Sequence, residues 1–506
     1  MVKPARGDVL AGISVALVLI PQALAYAKIA GVDPVHGLYA AVAAPIAGAL
    51  IGSSPYLQTG PVAVTSLLTY GALTALGDPF SAEFALLAGL LAILVGLVRL
   101  GIGLVGGGPI AYLMSQPVVV SFTSAAAILI ISSQLPGLLG VDGGSGNPFL
   151  VALRALAQPA DWQWVDMLLG LFAMAAMIGG RKLSPLFPGA LVAVVATSLW
   201  SWFFDYGGST VGDIAIAFKV ETDLPWGDVP ALLLPAVVIA VVGFAEPASI
   251  ARKYAAEDRT FWDSNKEFMG QGLANVASGI AGGYPVGGSF SRTALNRLGG
   301  ARTRWSGAIT GLSVLAILPF AFLLAPLPTA VLSGLVIAAV MSLIDLRSPK
   351  LYWQWSKPQF AVGVVTFVGT LVLAPRVEQG VLLGVGAALV VHLWREMKVG
   401  VPSKTEGSTL HIWPTGVLYF GSAPAVERSV NDLLAEHHEL DRLIIHLGRL
   451  GRLDLTGALM LRDIIEETRS SGVEVEIMGG KGHVPKILSR VLEDETITER
   501  NEPGLA

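Results

Sequence analysis

Two stretches of this chain place backbone breakers and small residues where helices begin. They are Gln58-Thr59-Gly60-Pro61-Val62-Ala63-Val64-Thr65-Ser66 and Tyr284-Pro285-Val286-Gly287-Gly288-Ser289-Phe290-Ser291-Arg292. Pro61 suits a first helical position, with Thr59 or Gly60 as the cap, and Ser289 suits the cap of the second helix. A helix that starts inside a membrane leaves N–H groups unpaired and a partial positive charge at its N-terminus. Two such ends facing each other favour an anion, held without a buried Lys. The candidate substrate-binding residues are therefore Gly60, Ala63, Val64 and Thr65 at one end and Gly288, Ser289, Phe290 and Ser291 at the other. Small side chains let the anion reach backbone, and Thr65, Ser289 and Ser291 offer hydroxyl donors. The same residues also suit close helix packing.

Three further residues carry chemistry inside apolar runs. Glu246 follows Val241-Val242-Gly243-Phe244-Ala245 and precedes Pro247. Ionisable groups within membrane spans are functional hypotheses. Desolvation disfavours the charged form of a carboxyl, so Glu246 is the candidate proton carrier, the alternative being a structural carboxylate. Gln22, beside Pro21, occupies the matching kink in the first part of the chain and joins the binding set; a helix–helix hydrogen bond is its other reading. Arg292 either strengthens the positive field at the site or points to the membrane boundary with Arg297. Asp263, Glu267, Asp345 and Arg376 lie in loops or at span ends and are expected to be solvated. His36 and His392 have no ligand partner four residues on, so no metal site is expected. The chain has no Cys, which excludes thiol chemistry and Cys-ligated metals. No nucleophile elbow, phosphate loop or dinucleotide fingerprint is present, so no enzyme activity and no cofactor are expected.

The elements that must position these residues are membrane helices. Of 506 residues, 53% are hydrophobic and 14% charged, and mean hydropathy is +0.65. A soluble domain carries about 25% charged residues. Net charge is −4, which gives no sign of nucleic-acid binding. Charge is uneven: residues 401–506 hold 11 basic and 17 acidic side chains, against 22 and 20 in residues 1–400. The reading is a membrane domain over 1–398, a linker over 399–407 and a soluble domain over 408–506. Fourteen apolar segments are expected, near 8–30, 37–51, 61–76, 84–101, 109–133, 164–180, 186–204, 229–251, 267–282, 289–299, 305–325, 328–344, 359–374 and 379–396. The third and tenth are too short for the ~20 residues that span the hydrocarbon core. An even number places both termini on one side. Seventeen basic residues, including Lys3, Arg99, Arg181, Arg252 and Arg347, then fall on that side, and four, Lys28, Arg154, Lys219 and Arg376, on the other. This asymmetry predicts cytoplasmic termini in an inner (plasma) membrane.

The body also reads as duplicated. Pro21-Gln22-Ala23-Leu24-Ala25 resembles Pro247-Ala248-Ser249-Ile250-Ala251, and the same offset carries Gly60-Pro61 onto Val286-Gly287. Seven segments is an odd number, so the second copy runs inverted. Interrupted segments at matching positions of two inverted halves point to a substrate site.

Several motifs resemble the SulP family of sulfate permeases and related anion transporters. They are Asp33-Pro34-Val35-His36-Gly37-Leu38-Tyr39-Ala40-Ala41 with Gly52-Ser53-Ser54, Gln58–Val64, Phe244-Ala245-Glu246 and Gly287–Thr293. The family usually has an aromatic where His36 stands and a basic residue where Pro55 stands. The resemblance implies seven-plus-seven inverted repeats, with a core of segments 1–4 and 8–11 and a gate of segments 5–7 and 12–14. It implies a small anion held between segments 3 and 10, movement of core against gate, and a homodimer. Members with Glu matching Glu246 resemble proton symporters, and the nearest resemblance is to bacterial carriers of C4-dicarboxylates such as fumarate. Sulfate and bicarbonate stay open as substrates.

In the tail, residues 417–420, 443–447 and 473–477 read as strands, and 424–438, 457–471 and 483–493 as helices, giving a small α/β domain. Asp454-Leu455-Thr456-Gly457 resembles a STAS-domain loop, in some relatives of which a residue matching Thr456 is phosphorylated. Thr456 is otherwise a helix cap. A proton-coupled transporter is the leading function, with an anion channel and a membrane receptor as rivals; Glu246 favours coupled transport, since a channel needs no proton carrier.

Overall fold

The computed structural model describes residues 4–112, 115–144, 146–184, 187–212, 214, 223–437, 439–479 and 483–492. Lys3 and Lys219 of the basic-residue count, positions 113, 114 and 186 of the expected apolar segments, and positions 438 and 493 of the expected tail helices lie outside the described residues. Backbone contacts divide the chain into two units, Met1–Ala387 and Ala388–Ala506.

The first unit is helical. Its elements are α1 (Arg6–Ala30), α2 (Pro34–Ile51), β1 (Thr59–Gly60), α3 (Ala63–Leu73), α4 (Ala82–Leu104), α5 (Gln116–Leu139), α6 (Pro148–Ala157), α7 (Trp164–Leu183), α8 (Gly189–Phe203), α9 (Val229–Glu257), α10 (Ser264–Ile280), β2 (Gly287–Gly288), α11 (Phe290–Leu298), α12 (Trp305–Ile317), α13 (Thr329–Val340), α14 (Ser348–Trp355), α15 (Lys357–Val372) and the first part of α16 (Val377–Glu396), which continues past Ala387. Among the described residues, a helix runs through each of the fourteen expected apolar segments. Among the described residues, eight helices are long and apolar enough to cross a membrane. The helices α6 and α14 were not expected. At 10 and 8 residues they are too short to register as spans, and each follows the fifth helix of its half.

Packing repeats between the halves. Advancing every helix by eight exchanges α4–α10 with α12–α2, α5–α15 with α13–α7, and α1–α11 with α9–α3, and all six pairs are in contact. The strands β1 and β2 pair antiparallel, Thr59 with Gly288 and Gly60 with Gly287. That register is what an inverted repeat requires of two matching segments meeting at its axis. Lipid supplies little apolar drive between helices, so small residues bring backbones together. A Cβ on Gly96 of α4 would lie 2.6 Å from the Gly272 oxygen of α10, and one on Gly272 would lie 2.8 Å from the Gly96 oxygen. Likewise a Cβ on Gly170 of α7 would lie 2.8 Å from the Ala330 oxygen of α13.

The second unit holds β3 (Ser403–Glu406), β4 (Thr409–Ile412), β5 (Gly416–Leu418), α17 (Ala423–Glu436), β6 (Arg442–His446), β7 (Leu450–Leu453), α18 (Leu455–Ser470), β8 (Glu474–Met478) and α19 (Val484–Val491). One sheet has the order β3-β4-β6-β8, antiparallel at β3–β4 and parallel beyond; β5 and β7 form a parallel pair. Leu410, Leu443, Ile445 and Ile477 of the sheet pack with Val426, Leu461 and Leu488 of the helices. The strand β3 lies within the stretch expected as linker. Its residues Ser-Lys-Thr-Glu are all exposed and carry no apolar alternation, and Gly407, at φ +63°, turns the chain into β4. Asp454, not Thr456, caps α18, accepting from the Gly457 N–H at 2.8 Å. Thr456 is exposed in the first turn.

Gly272→Leu therefore forces α4 and α10 apart and should cost roughly 1–3 kcal/mol. Gly179→Ala, with open space around the added Cβ, should be neutral or stabilising by up to about 1 kcal/mol. Thermal unfolding of the two variants in one detergent should rank them in that order; equal midpoints would contradict the close approach.

Candidate anion site

The site begins with two helices that start in the middle of the fold. Val62 precedes α3 with no polar side chain to cap it, so the first N–H groups of α3 have no intrahelical partner. Ser289 caps α11, its Oγ accepting from the Arg292 N–H at 3.4 Å. The β1–β2 pair and a bond from the Ser289 N–H to the Gln58 oxygen, 3.1 Å, hold both starts together. Gly60, at φ +158°, sits at the crossing, where a Cβ would lie 3.6 Å from Arg292 Nη2.

A polar stripe on α10 supports this unwound backbone. Asn275 Nδ2 donates to the Val286 oxygen at 3.2 Å, and its Oδ1 accepts from the Val286 N–H at 2.9 Å. Gln271 Nε2 donates to Thr59 Oγ1 at 2.6 Å, and Ser278 Oγ to the Tyr284 oxygen at 2.7 Å. Buried backbone needs such partners in a membrane, where water supplies none. The spacing Gln271, Asn275, Ser278 is the i, i+4, i+7 signature of one helix face; sequence reading passed over it because amides carry no charge.

The helix α9, with Pro235 and Pro247 inside it, carries Glu246 to the start of α11, where Oε1 accepts from the Phe290 N–H at 3.4 Å. Between α3, α5 and α9 lies a cavity of about 30 Å³, lined by Val64, Thr65, Phe122, Thr123, Gly243 and Glu246 among others. Gly60, Ala63, Gly288, Ser289, Phe290 and Ser291 do not line it. Phe290 is 40% exposed, and Ser291 is also exposed; Ser289 is buried, with its Oγ 3.3 Å from Ser291 Oγ. Thr65 Oγ1 donates to the Val62 oxygen of its own turn at 3.2 Å. The contribution of α5 was missed, since Val119, Phe122 and Thr123 read as ordinary span residues.

Arg292 turns inward, away from Arg297. It is 1% exposed, and Nη1 donates to Gln22 Oε1 at 3.2 Å. Gln22 Nε2 and Arg292 Nε and Nη2 are buried with no protein partner. Arg297 instead pairs with Glu257 and with Asp258, the latter at 2.7 Å.

Two expectations change. Arg99 does not flank a span: α4 runs on to Leu104, and the guanidinium is fully buried. The segment was ended near its charge, which hid it. Glu267 is not solvated; it is buried, with Oε2 accepting from the Ser54 N–H at 2.8 Å and from Trp262 Nε1 at 3.3 Å. Asp263 caps α10 through the Asn265 and Lys266 N–H groups. Asp345, in the loop before α14, is held below the usual carboxylate range by the Ser348 hydroxyl and by backbone N–H groups of Ser348 and Arg347.

An inverted repeat of membrane helices with two half-helices meeting at their N-termini defines a membrane transporter of small anions. The family model described as "Sulfate permease family" matches residues 6–366, and that of the STAS domain matches 401–502. A probable sulfate transporter, 4.2, of Arabidopsis thaliana is 30% identical over 96% of this chain and 77% of its own length. A probable sulfate transporter of Mycobacterium tuberculosis is 34% identical over 77% of this chain and 69% of its own. The murine anion transporter solute carrier 26 family member A9, in an inward-facing state, shares the fold at TM-score 0.88 and 19% identity, over 97% of this chain and 88% of its own. The transmembrane domain of the cyanobacterial bicarbonate transporter BicA aligns at TM-score 0.64 and 26% identity, over 76% of this chain and 97% of its own. The chain belongs to the sulfate permease family and carries a C-terminal STAS domain. It is a multi-pass membrane protein and an anion transporter, not an enzyme.

Ser289→Trp should fill the space at the start of α11 and abolish anion binding while leaving a monodisperse protein. Isothermal titration with sulfate and fumarate checks this; unchanged affinity in the variant would remove α11 from the site.

Proposed function

We propose that this chain is a proton-coupled symporter of a small dianion. The observation that carries the reading is the hydrogen bond from the Phe290 N–H to Glu246 Oε1. An ionised Glu246 is itself an anion at the N-terminus of α11, where the dipole and free N–H groups favour negative charge. It competes with the substrate for those donors. A proton on Glu246 removes that competition and offsets part of the charge that the substrate brings into a low-dielectric region. Loading of anion and proton then favour each other, which is linkage between two ligands at one site. Gln22 and Arg292 supply further donors through their unpartnered Nε2, Nε and Nη2 atoms.

The names of the curated relatives put sulfate first as the substrate. A C4-dicarboxylate such as fumarate fits the same requirement for a dianion, and bicarbonate is the monoanionic alternative. The cavity of about 30 Å³ has room for about one water molecule. The loaded state is therefore wider, by movement of α5 away from α3 and α9. In this reading α1–α4 and α9–α12 move as a core against a gate of α5–α8 and α13–α16, within a homodimer in the plasma membrane. Residues 1–398 form the transporter, 399–407 the connection, and 408–506 a cytoplasmic STAS domain beside cytoplasmic termini.

Glu246→Gln keeps the shape of the protonated side chain and loses the titrating group. In proteoliposomes it should retain counterflow of labelled sulfate or fumarate at equal pH and lose accumulation driven by an inward proton gradient. In the parent protein, uptake should rise as external pH falls. Full gradient-driven accumulation by the variant would leave Glu246 a structural carboxylate.

A further inference from the structure

The buried cation of α4 has no part in the function argued so far. Arg99 is 0% exposed. Its Nε donates to the Ala240 oxygen at 3.1 Å, its Nη2 to the Ile239 oxygen at 3.2 Å and its Nη1 to the Val286 oxygen at 3.0 Å. All three acceptors are neutral backbone carbonyls. Among the described residues no ion pair includes Arg99. A guanidinium stays charged, and a buried charge is ordinarily paired with one of opposite sign. This one is solvated by peptide dipoles alone, so its charge is uncompensated locally.

Its position gives that charge a target. A Cβ placed on Gly243 would lie 2.8 Å from Arg99 Nη2 and 3.2 Å from Thr65 Cγ2. Gly243 and Thr65 both line the small cavity between α3, α5 and α9. The tip of Arg99 thus lies directly behind the cavity wall, at a point where only glycine leaves it room. The other buried cation, Arg292, has the Glu246 carboxylate within electrostatic range, so the two offset each other when Glu246 is ionised. Arg99 is the buried positive charge at this wall that no carboxylate offsets in either protonation state of Glu246.

We propose that Arg99 is a specificity-determining residue of the anion site: a positive charge, fixed behind the wall by the carbonyls of Ile239, Ala240 and Val286, that makes the cavity favour dianions over monoanions. The proposal rests on the cavity being where the anion binds. Arg99 touches no anion directly and acts through the field it projects past Gly243 and Thr65. Such a field acts in proportion to the charge of the occupant, whereas a change of shape or packing weakens all occupants alike. Low-dielectric surroundings keep that field strong over several ångströms. The bond to the Val286 oxygen also ties α4 to the backbone just before β2, so the charge and the crossing hold a fixed separation.

The experiment compares ions that differ in charge but little in shape: sulfate with methyl sulfate, and fumarate with monomethyl fumarate. Each displaces a labelled dianion from the full-length protein in nanodiscs. Arg99→Met should weaken monoanion binding roughly tenfold and dianion binding about a hundredfold, one decade per unit of charge removed. Arg99→Lys keeps the charge and should keep the parent's ratio of dianion to monoanion affinity, even if both weaken. Gly243→Ala retains Arg99 but displaces its tip, and should lower that ratio in the same sense by a smaller factor; it carries the test if Arg99→Met is not monodisperse. An equal loss for both charge classes in Arg99→Met or Gly243→Ala would overturn the proposal, as would loss of the ratio in Arg99→Lys. A parent protein that binds none of the four ions would instead overturn the site itself.

Discussion

The fold depends on two antiparallel residue pairs, Thr59 with Gly288 and Gly60 with Gly287. A membrane interior leaves no exposed backbone without cost, because each unsatisfied N–H or C=O loses several kcal/mol of hydration. Helices that begin halfway through the fold therefore need a partner for the extended residues that lead into them. Here each half of the chain supplies the partner for the other. The remaining groups go to α10, through Asn275, Gln271 and Ser278, and to Arg99 of α4. At α3 the first N–H groups have no polar side chain to cap them, while at α11 the Phe290 and Arg292 N–H groups go to Glu246 and Ser289.

Most of this was legible in the sequence where the signal was a run or a break. Apolar length gave the fourteen segments, and the breakers at 58–61 and 284–289 gave the half-helices. The Pro21 and Pro247 neighbourhoods gave the repeat. What the sequence hid was of two kinds. Short helices such as α6 and α14 leave large apolar residues exposed (Leu150 and Leu153, Trp353 and Trp355) and, at 10 and 8 residues, are too short to stand out as spans. Polar groups that serve inside the fold look like groups at its edge: Arg99 counts with the cytoplasmic basic residues in the sequence and Glu267 reads as facing water. A one-dimensional reading assigns charge to solvent by default, and only tertiary contacts reveal a carbonyl cage or a carboxylate capping Ser54.

The second unit shows the same division. Two of its strands announced themselves: β6 by a continuous apolar run and β8 by apolar alternation. The edge strand β3 did not, since all four of its residues face solvent. In the helix after β7, Asp454 takes the cap because its carboxylate reaches the Gly457 N–H, which leaves Thr456 exposed within the first turn. Cap assignment between two acceptable neighbours is a matter of which backbone angle falls where, and composition carries no record of it.

Recognition through a helix start has a consequence for how such a site is studied. The groups at the β1–β2 crossing that would touch the anion belong to the main chain, and every amino acid except proline supplies the same N–H. Alanine scanning would pass over them in silence, and would report instead the side chains that shape, charge or support the crossing. A map of sensitive positions would then trace a ring, with Glu246, Arg292, Asn275 and Arg99 on its circumference and an apparent blank at Ala63 and Val64. Replacing single amides by esters, which deletes a donor while leaving the side chain in place, would fill in the centre.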